Sequence, residues 1–68
     1  MTPKQVRNRV NKIRAEARDF EKAHSMEDKL HQDVLWYIAT SQLTLEEARD
    51  LAYEAMRTRT IQFGRHCA

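Results

Sequence analysis

Ala23-His24-Ser25-Met26-Glu27-Asp28-Lys29-Leu30-His31-Gln32-Asp33-Val34-Leu35-Trp36-Tyr37-Ile38-Ala39 is the stretch whose reading decides the fold. At about 100° per residue, Met26, Leu30, Val34, Tyr37 and Ile38 fall on one stripe, and Leu35 widens it. An apolar stripe of that width predicts an amphipathic helix packed on other helices. Ser25 stands where an N-cap belongs, with Asp28 three residues on, a variant of the capping box that predicts a helix over 26–40. Glu27 and Asp28 would then lie in the first turn, where the helix dipole favours negative charge.

Working outward, Thr2-Pro3-Lys4-Gln5 is a start signal: Thr2 can cap, Pro3 fits the first helical position and Gln5 can reach back. A helix over 3–23 follows, with Val6, Val10, Ile13, Ala17, Phe20 and His24 spaced 4, 3, 4, 3 and 4 as a narrow seam able to pair with neighbouring helices or with a second copy. On the carboxyl side, Thr44-Leu45-Glu46-Glu47 is the clearest capping box in the chain and predicts a helix over 45–59. Leu45, Ala48, Leu51, Ala52, Ala55 and Met56 form its apolar stripe, while Glu46, Glu47, Asp50 and Glu54 crowd the other side. In the tail, 60–68, Ile61 and Phe63 are expected to fold back over an open end of the core. The expected fold is an all-α three-helix bundle, one domain over 1–68 with a short extended tail.

Composition sets limits on function. A chain of 68 residues hides only about 60% of the surface its unfolded form exposes, so its core is thin. A single Cys gives no internal disulfide and suits a reducing compartment. The absence of a run of roughly 20 apolar residues argues against a membrane span, and a cytoplasmic location is expected. Net charge is only +2, but it is unevenly placed: seven Lys/Arg face three Asp/Glu through Lys22.

Three constellations are candidates for function. Trp36 points away from the apolar stripe and shares its face with Lys29, Gln32 and Asp33, the composition of a partner-binding anchor. Lys4, Arg7, Asn11, Arg14, Arg18 and Lys22 fall within about 80° on the first helix, a basic ridge that would suit nonspecific nucleic-acid binding. His24, Glu27, Asp28 and His31 are spaced for a metal site that His66 and Cys67 would complete. The metal signal is the weakest, because capping and the Glu27/His31 pairing account for the same residues. A helix-turn-helix reader is disfavoured, since Glu46, Glu47 and Asp50 would meet the phosphates. No motif names a reaction or a cofactor, and a core this thin gives little room for a catalytic pocket.

The segment Ala23-His24-Ser25-x-Glu27-Asp28-x-Leu30-His31-x-Asp33-Val34-Leu35, with Ile38-Ala39 and a closing Ile61-x-Phe63-x-Arg65-x-Cys67-Ala68, resembles a group of small bacteriophage proteins. The likeness spans most of the chain, although His66 stands where that group carries Trp. It implies a phage setting in a host cytoplasm and no established activity. The expectation is a non-enzymatic accessory protein of host-takeover or inhibitor type, needing no cofactor, that binds a host or phage macromolecule and has the option of self-association.

Overall fold

The computed structural model describes residues 1–63. Three helices, α1 (Pro3–Ala15), α2 (Phe20–Thr40) and α3 (Leu45–Met56), are followed by a 3-10 turn at Arg57–Thr60. Each helix packs on the other two, so the protein is an all-α three-helix bundle. Gly64, Arg65, His66, Cys67 and Ala68, and with them the proposed metal completion and the end of the tail motif, lie outside the described residues.

Two of the three helix starts follow the capping boxes. Thr2 Oγ1 accepts from the Gln5 amide while Gln5 Oε1 accepts from the Thr2 amide. Thr44 and Glu47 exchange the same pair of bonds, and these hold the Glu47 carboxyl below its ordinary range. Each pair satisfies two amides that a helix start would otherwise leave open.

The third start corrects the expected boundaries. The first helix stops at Ala15 rather than at residue 23, and α2 begins at Phe20 rather than after Ser25. Asp19 is the N-cap: its Oδ1 accepts from the Lys22 amide at 3.1 Å, and Asp is as good a cap as Ser. Ser25 sits inside α2, and Glu27 and Asp28 are mid-helix, so the first-turn account of those carboxylates falls. With the early stop α1, 13 residues and about 20 Å, matches α3, 12 residues and about 18 Å, on which it packs.

The core consists of Val6, Val10 and Ile13 from α1, Ala23, Leu30 and Val34 from α2, Leu51 and Ala55 from α3, and Ile61 just after the turn. Met26, Tyr37, Ile38, Ala17 and Phe63 pack around it half-buried. The α1 seam is therefore filled within one chain, which removes Val6, Val10 and Ile13 as a pairing edge for a second copy. His24 has moved to α2, and Phe20 is exposed at its first turn. On α3, Leu45 and Met56 do not join the core, being 74% and 47% exposed.

The polar groups around the core are committed. Glu54, expected on the solvent side of α3, is buried and gripped by Arg7 Nη2 at 2.9 Å and by Arg57 Nε at 2.9 Å. Thr58, fully buried, donates to the Ala55 carbonyl. His31 Nε2 lies 3.3 Å from that carbonyl and 3.1 Å from Thr58 Oγ1. A carbonyl only accepts, so the bond to Ala55 requires the proton on Nε2. Among the described residues no buried side-chain polar atom lacks a partner.

Candidate partner-binding surface

Trp36 is 71% exposed on α2, and the helix that carries it is anchored on its opposite side by Leu30 and Val34. Ile61 and Phe63 leave the indole uncovered. Ile61 is buried in the core, Phe63 packs against that core, and Trp36 remains open. Gln32, one turn before Trp36, is exposed, as is Lys29. Asp33 is half-buried because it bridges two helices: Oδ2 meets Arg9 Nη1 at 2.9 Å and Oδ1 meets Lys29 Nζ at 3.0 Å. The Lys29 bond, then the Arg9 bond, hold the Asp33 carboxyl below its usual range. The charged rim beside Trp36 is thus fixed in place from α1.

Beside the indole, Leu35 is 67% exposed and opens a shallow groove of about 180 Å³ toward α3, where Ala52, Ala55 and Met56 form the far wall. Sequence reasoning put Leu35 at the margin of a buried stripe and Met56 within one. The missed signal is α3 itself: with three alanines on its stripe it has too little bulk to cover both neighbours, and it turns Leu51 and the clamped Glu54 toward the interior.

The expected basic ridge does not run along one helix. Lys4, Arg7, Asn11 and Arg14 lie on α1, Arg18 lies in the connection, and Lys22 lies on α2. Arg7 is taken by Glu54, Lys22 pairs with Glu16 at 3.3 Å, and Arg14 bonds to Asn11 and to the Thr60 hydroxyl. Lys4, Arg14 and Arg18 are exposed and have no ion-pair partner among the described residues.

The His24, Glu27, Asp28 and His31 set is likewise divided. His24 Nδ1 faces Asp28 at 3.6 Å, Glu27 is buried, and His31 is turned to Thr58 and Ala55. Among the described residues no group of three or more His, Cys, Asp or Glu side chains is placed to hold a metal ion. No helix there is long and apolar enough to cross a membrane. Comparison with known proteins finds no matching family profile, curated protein or solved structure.

Proposed function

We propose that the protein is a non-catalytic binding module that docks on a host or phage protein through the outward face of α2, with Trp36 as the anchor and Lys29, Gln32 and Asp33 around it. One observation carries this reading: the single Trp of the chain is 71% exposed on a helix whose other face is locked into the core. Exposed aromatic anchors on rigid elements dominate interface energetics, because a large amphipathic ring becomes ordered at little entropic cost. The open Leu35 beside it extends the apolar area. The phage and host setting comes from the sequence resemblance alone.

The test is capture of partners from host lysate by the tagged protein and its Trp36→Ala variant. The variant should fold with stability within about 0.5 kcal/mol of the parent and weaken partner binding by about 2 kcal/mol or more. Undiminished capture by the variant would refute the anchor.

A second reading, weak nucleic-acid binding, is favoured by Lys4, Arg14 and Arg18, which are exposed and form no ion pair among the described residues. Such binding should fall steeply with added salt as counterions are released. Reversing these three residues to Glu should abolish it, while Arg7 is left alone because its reversal would face Glu54.

A further inference from the structure

On the α1 side of the proposed interface lies a second groove, about 390 Å³, lined by Arg9, Lys12 and Ile13 of α1 and by Ser25, Met26 and Lys29 of α2. Its floor is aliphatic, with Ile13 buried and Met26 half-buried, and its rim carries three cations. Arg9 and Lys29 share the single carboxylate of Asp33, which leaves a rim of three positive charges against one negative. Lys12 is exposed and has no ion-pair partner among the described residues.

From this arrangement we infer that the groove receives an acidic peptide segment that places an aliphatic side chain between flanking carboxylates. The charge calls for an anion and the floor calls for a hydrocarbon group. Arg9 engages Asp33 through Nη1 and Lys29 uses one of its three donors, so both retain donors for an incoming carboxylate beside the exposed Lys12. Nucleic acid fits less well: single strands bind basic grooves through aromatic platforms that stack bases, and no aromatic residue lines this groove. The inference deepens the reading above by naming the partner's chemistry. Lys29 lies seven residues before Trp36 on the same side of α2, about 10 Å away, so one partner segment can span both.

The experiment titrates the isolated full-length protein with a fluorescein-labelled Glu-Asp-Leu-Leu-Glu-Asp peptide, its Lys-Lys-Leu-Leu-Lys-Lys counterpart, a version with both leucines replaced by serine, and a short oligothymidine. Amide shifts are followed by NMR. The acidic peptide should bind and perturb Lys12, Ser25, Met26 and Lys29, and Lys12→Glu should weaken it about tenfold, the scale of one lost charge-assisted contact. The basic and serine peptides should bind at least several-fold more weakly. No binding of the acidic peptide, indifference to Lys12→Glu, or equal or tighter binding of the oligothymidine at the same amides would overturn the inference. Failure of the groove is read from the Lys12→Glu titration with the probe peptide, and failure of the Trp36 anchor from lysate capture, so the two outcomes are separable.

Discussion

The seam between α1 and α3 and the outward flank of α2 are built on opposite principles. At the seam, Val6 and Val10 are buried to 0% and 1%, and Glu54 ties α1 to α3 through Arg7 and to the 3-10 turn through Arg57. On the flank, Leu35 and Trp36 stay open while the neighbouring Asp33 is held by Arg9 and Lys29. The contrast shows how this small chain divides its side chains between closure and exposure. A thin core closes best around side chains that face each other across short helices, and the longest helix is left with a face the rest of the molecule is too small to cover.

The largest effect that sharpens the contrast should come from Leu30→Ala. Leu30 is fully buried on the inner face of α2, and its truncation should cost roughly 2 to 5 kcal/mol in urea unfolding. A loss under about 1 kcal/mol would mean that the core is centred elsewhere.

Acid should strain the seam next. The Arg7 hydrogen bond, opposed by burial and aided by the Arg57 charge, holds the Glu54 carboxyl below its ordinary range. A depressed carboxylate contributes stability that is fully present above its unfolded pKa, about 4.3, and is lost as pH falls through the lower folded value. Stability should therefore drop on acidification below about pH 4, with a shallower slope in Glu54→Gln. Asp33 and Glu47 share the same sign, so the informative quantity is the difference between the two proteins; identical slopes would remove Glu54 from the account.

A smaller effect separates the two possible starts of α2. Asp19→Ala should cost about 1 kcal/mol as a lost cap, whereas Ser25→Ala, inside the helix and exposed, should be nearly neutral. The reverse ranking would restore the later start. Smallest of all, Leu35→Ala should stay within about 0.5 kcal/mol of the parent in the same unfolding experiment, and EDTA should leave the melting temperature in place. A chelator-induced fall that zinc restores would reinstate the His24, Glu27, Asp28 and His31 cluster.

Much of this was legible in the residues. Thr2-x-x-Gln5 and Thr44-x-x-Glu47 marked two starts because both halves of a reciprocal cap are local in sequence. The outward aim of Trp36 followed from helical period alone. The end of α1 was hidden, since Glu16 closes it without a glycine or a positive φ and the apolar spacing runs on through Ala17 and Phe20 as if the helix continued. Glu54 was misplaced for a different reason: its burial depends on an arginine 47 positions away, and no local pattern carries that. The hidden end of α1 makes the basic ridge look continuous in the sequence, by placing Arg18 and Lys22 on the first helix, and the 47-residue separation makes Arg7 look free.

The tight connection at residues 16–19 also sets an order of assembly. It brings α1 and α2 together as a hairpin by closing a very short loop, while the Arg7–Glu54 contact must close one of 47 residues, which the logarithmic cost of loop closure makes slower to find. The hairpin should form early and α3 should dock onto it late, and by reversibility α3 should be the first element to lift away. Native-state hydrogen exchange would then show α3 amides opening at lower free energy than those around Leu30, and uniform protection across the three helices would rule this order out. Lifting α3 spares the groove between α1 and α2, because Arg9, Lys12 and Lys29 all lie on the hairpin; the charged surface can thus outlast the complete bundle during a partial opening.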